Sequence, residues 1–170
     1  IAACTNPRHR TILTTIYATG LRVSELCQLK VSDVDSKRMM LRIGHGKGGK
    51  DRYALLSPKL LDTLRIYWHA FRPQVWLFPN KAGDGPISDN QVQRYFYSAK
   101  ERANIHKKGG IHSLRHAFAT HLLDSGVDLH SISRLMGHDH LSTTARYLHL
   151  QQRVVKKDSP LDLLSHLSKL

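Results

Sequence analysis

The sequence predicts an α+β domain that is mainly α-helical and contains a small antiparallel β-sheet. Several segments place apolar side chains three and four residues apart, the spacing of one face of an α-helix. Two short apolar segments, residues 39–43 and 51–56, flank a glycine-rich stretch and predict a β-hairpin. The chain has 170 residues, which fits one domain with a hydrophobic core.

The first two helices are predicted on either side of Gly20. Residues 11–18 carry an apolar helical stripe, and Gly20 suits the left-handed conformation that ends many helices. Ser24 lies near the start of the next helix, which puts Arg22 at a helix entrance. Glu25 follows three residues later and can reach back to Arg22. By themselves these two residues are typical of a surface arginine beside a helix-start carboxylate.

The hairpin turn carries Lys47 and Lys50. Its spacing from Gly44 through Gly49 to Lys50 matches most of a phosphate-binding P-loop. However, Asp51 stands where a P-loop needs Ser or Thr to ligate magnesium, and the turn runs into a strand rather than a helix. Nucleotide binding is therefore excluded. A lysine-tipped hairpin suits contact with a nucleic-acid phosphate, and a solvated turn remains the simpler alternative.

Four more helices are predicted from their caps. Ser57 and Pro58 begin one that runs to about residue 70, and Ser88 caps another. Trp76, Leu77 and Phe78 are expected to anchor the irregular connection between them. Asp128 caps a later helix, which Gly137 ends, and Ser142 caps a short one that contains Tyr147.

The helix over residues 113–125 carries the densest cluster of candidate residues. His112 lies at its entrance and Arg115 in its first turn. Its expected apolar stripe consists of Leu114, Ala117, Phe118 and Leu122. His112 and His116 are four residues apart, as in a His-Glu-x-x-His zinc site. The glutamate is missing and Arg115 lies between them, so the spacing disfavours a metal site.

The net charge indicates a polyanionic partner. There are 26 Lys and Arg against 13 Asp and Glu, a formal charge of +13. Such an excess favours nucleic acid, although a solvated basic surface would give the same count.

Two cysteines, Cys4 and Cys27, make no disulfide framework and suit a reducing cytosol. We expect no signal peptide, since the N-terminal stretch IAACTNPRHR lacks an apolar segment. We expect no membrane span, since no apolar run approaches the ~20 residues that a span needs.

The remaining chemistry is a set of cations and a phenol. Arginine can give a phosphate two parallel hydrogen bonds, and tyrosine can act as a covalent nucleophile. From the residues alone this is one candidate among several, because a lone arginine or tyrosine is more often structural.

Five motifs occur in the order and approximate spacing of one family. They are ATGLRVSEL, GKGGKDR, HSLRHAFATHLL, LMGH and STTARYLHL. Together they resemble the catalytic domain of tyrosine recombinases, the phage integrases and the Xer- and integron-type enzymes. The resemblance implies the catalytic-domain fold of these DNA breaking-rejoining enzymes over residues 1–150, with a truncated N-terminal edge. It implies a tail with a short apolar helix over 151–170 and the absence of an N-terminal core-binding domain.

The resemblance also assigns roles to individual positions. The implied catalytic residues are Arg22, Lys47, His112, Arg115, His138 and Tyr147, with Glu25 steadying the site. Residues expected to contact DNA are Lys50, Arg52, Lys107 and Lys108. Tyr147 would attack the scissile phosphate and form a 3′-phosphotyrosine. Lys47 would protonate the 5′-oxygen, with Lys50 as the alternative proton donor. No metal or other cofactor is implied.

The implied partner is double-stranded DNA, with a tetramer assembled on it through the C-terminal helix, in a bacterial cytoplasm at the nucleoid. A type IB topoisomerase is one alternative, although the motifs GLRVSEL and HAFATHLL resemble those of Xer proteins and integrases and so argue against it. A catalytically idle DNA-binding remnant and a basic nucleic-acid-binding domain without chemistry are two others.

If the assigned roles are right, Arg22→Ala and Arg115→Ala each cripple strand cleavage and leave DNA binding largely intact. Loss of one charge-stabilising donor typically costs ~2.7–4 kcal/mol in the transition state. Cleavage and gel-shift assays of each variant check this, and normal cleavage by either one would contradict the assignment.

Overall fold

The computed structural model describes residues 1–44 and 51–137. Within them the chain forms six α-helices and three strands. The helices are α1 (Pro7–Thr19), α2 (Val23–Cys27), α3 (Pro58–Phe71), α4 (Asp89–Arg102), α5 (His112–Asp124) and α6 (Leu129–Met136). The strands are β1 (Val34–Asp35), β2 (Met40–Ile43) and β3 (Arg52–Leu55). The predicted mainly helical α+β architecture is confirmed, and β1 is a strand that the sequence did not reveal.

The three strands form an antiparallel sheet in the order β1-β2-β3. Leu41 of β2 pairs with Val34 on one side and Ala54 on the other. Leu41, Ile43 and Ala54 are buried, and the intervening side chains point to solvent, as expected for a sheet covered on one face. At the other end of the ladder Ile43 pairs with Arg52, which fixes where β3 begins.

Local capping explains where the helices begin and end. Ser57, Ser88 and Asp128 each accept a backbone hydrogen bond from the first turn of the helix that follows, as predicted. The prediction for α1 was too short at its start. Asn6 accepts from the backbone of Arg8, and Pro7 follows at the first helical position.

Two apolar clusters hold the helices together. The larger one contains side chains of α1, α2, α3, α4 and the sheet. It includes Leu77 and Phe78, which anchor the irregular connection after α3 as expected, whereas Trp76 is only partly buried. The smaller one joins α5 and α6 through the buried side chains of Ala119, Leu123, Ile132 and Met136. In the part of the chain that the structure describes, no helix has the length and apolar character needed to cross a membrane.

The apolar stripe predicted for α5 is confirmed in part, because Leu114, Phe118 and Leu122 are partly buried and pack against the two clusters. The fully buried positions are Arg115, Ala119 and Leu123. Leu114, Ala117, Phe118 and Leu122 are half-buried. An arginine occupies the inner face because backbone carbonyl groups of two other segments accept hydrogen bonds from its guanidinium group.

Gly20 permits a close approach between α1 and α5. It adopts φ 65° and ends α1, and a Cβ atom placed there would lie 2.7 Å from Cε1 of Phe118. The Phe118 ring therefore packs directly on the turn that leads to Arg22.

We expect Gly20→Ala to destabilise the fold by more than backbone strain alone. Gly83 is the matched control because it has φ 84° and no atom within 4 Å of an added Cβ. Overpacking typically costs roughly 1–3 kcal/mol, so Gly20→Ala should lower the free energy of unfolding by about that much more than Gly83→Ala. Urea unfolding of both variants measures the difference, and equal losses would show that Phe118 moves aside freely.

Candidate active site

The turn between α1 and α2 holds Arg22. Glu25 in the first turn of α2 reaches back to it with both carboxylate oxygens. Oε2 accepts from the backbone N–H of Arg22 at 2.7 Å, and Oε1 accepts from Nη1 of its guanidinium at 2.9 Å. The predicted contact between these two residues is confirmed. Both the backbone and the head of Arg22 are therefore fixed, while 37% of its side chain stays exposed.

The first turn of α5 supplies Arg115, which is almost fully buried. Its guanidinium donates to the carbonyl of Gly20 and, at 2.7 Å, to the carbonyl of Met136. Arg115 thus joins the end of α1 to the end of α6. Removing it would leave buried carbonyl groups without these donors, so Arg22→Ala is the cleaner of the two alanine substitutions.

The C-terminal end of α6 brings three arginines together. The carbonyl of Leu135 accepts from Nη1 of Arg52 at 2.9 Å, and that of Gly137 accepts from Nη2 of Arg22 at 3.2 Å. With the bond from Arg115 to Met136, three consecutive carbonyls each accept from a different arginine. The last carbonyls of a helix lack partners within the helix and carry partial negative charge, so they attract cations.

Held by these contacts, Arg22 and Arg115 line one cleft together with His112. The cleft has a volume of about 310 Å³. Val23, Ser24, Asp89 and Gln93 complete its lining. Three of the predicted catalytic residues, from two distant parts of the sequence, therefore line a single cleft, and their catalytic roles stay predictions.

Glu25 lies beneath this cleft between two arginines. Only 8% of its side chain is exposed, and Oε2 also accepts from Nη2 of Arg52 at 2.8 Å. Burial by itself would raise the pKa of this carboxyl group. The charge of Arg52, the hydrogen bonds from Arg22 and Arg52, and the charge of Arg22 outweigh burial, and the pKa lies below its ordinary value of 4.5. Glu25 is therefore a carboxylate at neutral pH.

Arg52 lies inside the site, although the sequence suggested a DNA contact. Its side chain is 16% exposed, and it does not line the cleft of Arg22, His112 and Arg115, called the arginine cleft below. Lys107 and Lys108 are exposed and border a different, mainly apolar cleft of about 370 Å³ between α1, α4 and α5. The structure therefore does not bring either lysine into the arginine cleft, and their DNA contacts stay predictions.

Four predicted site residues, Lys47, Lys50, His138 and Tyr147, lie outside the described residues, as does the C-terminal segment 151–170. Two described residues close to these gaps nevertheless lie at the site. Arg52 follows the stretch 45–50, and Gly137, whose carbonyl accepts from Arg22, immediately precedes His138.

Asp89 and Gln93 in the first turns of α4 line the cleft, and the sequence did not single them out. The cap at Ser88 predicted the helix start, but nothing local indicated which face would meet Arg22.

Asp89 also affects Cys27. Burial, followed by the hydrogen bond and charge of Asp89, raises the pKa of this thiol to about 12. Cys27 is therefore a protonated structural thiol at neutral pH.

The described residues contain no group of three or more His, Cys, Asp or Glu side chains arranged to hold a metal ion. The cleft is lined by guanidinium and imidazole groups, which donate hydrogen bonds to an anion, together with the carboxylate of Asp89.

The lowered pKa of Glu25 predicts an acid-sensitive contribution to stability. The folded state binds this proton less readily than the unfolded chain, so ionised Glu25 stabilises the fold at pH values above 4.5. That contribution is lost as the pH falls through the folded-state pKa below 4.5. Between pH 7 and pH 3, wild type should therefore lose more unfolding free energy than Glu25→Gln does.

Urea unfolding across this range measures the loss. Glu101→Gln is the matched control because it removes an exposed carboxylate of α4. Parallel loss in wild type and Glu25→Gln would contradict the coupling of Glu25 to the two arginines.

Comparison with known proteins places this geometry in a family. The model of the phage integrase family matches residues 1–153. Protein y4eF of Sinorhizobium fredii, whose name assigns it to the integrases and recombinases, is 48% identical over 158 residues, covering 92% of this chain and 63% of its own. The tyrosine recombinase XerD of Staphylococcus saprophyticus is 37% identical over 157 residues, covering 88% of this chain and 52% of its own.

Solved structures of recombinases are also similar to this chain. The crystal structure of the XerA recombinase superposes with a TM-score of 0.77 at 28% identity, over 99% of this chain and 58% of that one. The XerH site-specific recombinase, bound to its palindromic difH substrate after cleavage, superposes with a TM-score of 0.76 at 27% identity, over 86% of this chain and 43% of that one. The chain thus spans roughly half to two thirds of its curated relatives. With nearly its whole length matched by the family model, the chain belongs to the phage integrase family and has the catalytic-domain fold of its tyrosine recombinases.

Proposed function

We propose that this chain is the catalytic domain of a site-specific tyrosine recombinase that cleaves and rejoins double-stranded DNA through a 3′-phosphotyrosine. The observation that carries the proposal is the cleft where Arg22, His112 and Arg115 meet, with both arginines held by the end of α6. Its relative XerH was solved on a DNA substrate after cleavage, which supports DNA as the partner.

The cleft suits a phosphodiester that reacts through a pentacoordinate transition state. Negative charge develops on the nonbridging oxygens, and donors that are already oriented stabilise it without reorganising. Guanidinium groups fit this task because they are planar, always charged and able to donate two parallel bonds. Arg22 and Arg115 are held before any DNA arrives, since carbonyls and a carboxylate of the protein fix them. His112 supplies a further donor at the entrance of α5.

The proposed reaction uses Tyr147 as the nucleophile. Its phenolic oxygen bonds to phosphorus and releases its proton to solvent water, and the bond from phosphorus to the 5′-oxygen breaks. Lys47 is proposed to give the leaving oxygen its proton, so a 5′-hydroxyl is released. His138 is proposed as a further donor to the phosphate. A 5′-hydroxyl from a partner duplex then attacks the phosphotyrosine and restores both the phosphodiester and the tyrosine. One phosphodiester bond is exchanged for another, so the reaction needs no nucleotide hydrolysis.

The basic residues outside the cleft are proposed to hold the DNA backbone. The formal charge of +13 supplies attraction that does not depend on base sequence, and such binding weakens as salt rises. Lys50, Lys107 and Lys108 are the proposed phosphate contacts, and we propose that the C-terminal segment 151–170 links protomers into a tetramer on DNA.

Covalent trapping tests the proposal. The chain is incubated, with a chelator present, with nicked duplexes drawn from a random pool, and adducts that resist denaturation are sought. Wild type is expected to form an adduct and Tyr147→Phe to form none. Tyr53→Phe, which removes the hydroxyl of an exposed tyrosine on β3, is the matched control and should still form the adduct.

Several outcomes would contradict the proposal in distinct ways. An adduct that survives in Tyr147→Phe would remove that residue as the nucleophile. Relaxation of supercoiled plasmid without sequence preference would favour a type IB topoisomerase activity. Salt-sensitive DNA binding with no adduct would favour a catalytically idle remnant, unless fusion to the N-terminal domain of a relative restored the adduct.

A further inference from the structure

Arg52 follows a stretch of the sequence that contains Lys47 and Lys50, and its side chain is largely buried. It is the first residue of β3, yet its head points inward and its two terminal nitrogens contact two different elements. Nη2 donates to Oε2 of Glu25 on α2 at 2.8 Å, and Nη1 donates to the carbonyl of Leu135 on α6 at 2.9 Å. One side chain therefore ties the sheet to both elements that hold Arg22.

The end of α6 is shaped to receive this side chain. Gly137 adopts φ 62°, and a Cβ atom placed there would lie 2.6 Å from both Cδ and Nε of Arg52. The stem of Arg52 thus lies directly against the last turn of α6, where a larger residue would displace it. This steric contact is independent of the hydrogen bonds, and it indicates that the end of α6 is shaped to fit the Arg52 side chain.

Glu25 connects Arg52 to the cleft. Its Oε2 atom is shared between the backbone N–H of Arg22 and the head of Arg52, while Oε1 holds the head of Arg22. Both contacts to Oε2 set the orientation of the carboxylate plane, and that orientation decides where Oε1 presents its lone pairs. The position of the Arg22 guanidinium therefore depends on Arg52 although the two arginines need not touch.

We propose that Arg52 is a positioning residue for DNA cleavage, acting through Glu25 and the end of α6 to hold Arg22 in its cleft. It does not line that cleft itself. The inference rests on the proposed function, because it assigns Arg52 a part in that reaction. Since Arg52 also pairs with Ile43 where the hairpin closes, it anchors the strand that follows Lys47 to the same helix end.

Two variants and a control separate positioning from general stability. Arg52→Met keeps an apolar stem and removes both donors and the charge, whereas Arg52→Lys restores the charge with a single donor centre. Arg42→Met is the control, because Arg42 lies on the neighbouring strand and pairs with Asp33 and Asp51 away from the cleft. Thermal unfolding of each variant establishes that it is folded before activity is compared.

The first readout needs no DNA. Carbon-13 NMR follows the ionisation of Glu25, whose charged neighbours among the described residues are Arg22 and Arg52. Its midpoint should move to higher pH in Arg52→Met, move back in Arg52→Lys and stay in place in Arg42→Met. An unmoved midpoint in Arg52→Met would overturn the proposed link through Glu25.

The second readout is single-turnover cleavage of the nicked duplex recovered by trapping. Arg52→Met should cleave roughly 10- to 100-fold more slowly, the range known for residues that orient metal ligands, with DNA affinity nearly unchanged. Arg52→Lys should recover part of the rate. A slower rate with an unmoved Glu25 midpoint, or a lost DNA affinity, would overturn the positioning role in favour of a structural or DNA-contact role.

Failure of the proposed function is distinguishable from failure of this inference. If wild type formed no adduct even as the fusion protein, the recombinase proposal would fall, and the role of Arg52 in cleavage would fall with it. If wild type cleaved and Arg52→Met matched it, only the role of Arg52 would be overturned.

Discussion

The C-terminal end of α6 is the constraint on which the rest of the site depends. Its last three carbonyls accept hydrogen bonds from Arg52, Arg115 and Arg22 in turn. A helix end offers unpaired acceptors with partial negative charge, and here each is paired with a full positive charge. The arginines thereby obtain partners that orient them before a phosphate is present, and the same bonds hold α6 to β3, to α5 and to the turn between α1 and α2.

Gathering cations in a partly buried site needs compensating negative charge. Glu25 provides it, with its carboxylate shared between Arg22 and Arg52 and its pKa held below the ordinary value. The arrangement divides the arginines by role. Arg115 and Arg52 are largely enclosed by protein acceptors, whereas Arg22 keeps a substantial exposed fraction toward the cleft. A phosphate entering the cleft would thus meet one accessible guanidinium and one that is rigidly supported from behind, with His112 beside them.

Two glycines at positive φ make these approaches sterically feasible. Gly20 lets the Phe118 ring pack against the turn before Arg22, and Gly137 lets the stem of Arg52 pass the end of α6. Both glycines also end their helices in the left-handed conformation. The sequence showed the helix-ending role of each, because that role is local. It could not show that each glycine also leaves room for a side chain from a distant segment.

Sequence alone determined the type and order of the elements, most of the caps and, through the motif resemblance, which residues were candidates. These features are encoded within one or two turns, as the cap at Asp128 and the reach of Glu25 to Arg22 illustrate. The tertiary structure decided which face of α5 is buried, that Arg52 turns inward, and that Asp89 and Gln93 complete the cleft. The contacts responsible join residues up to 115 positions apart, so they exist only once α6 has packed against the sheet and α2. No local periodicity can encode a hydrogen bond whose acceptor is brought into place by the packing of another element.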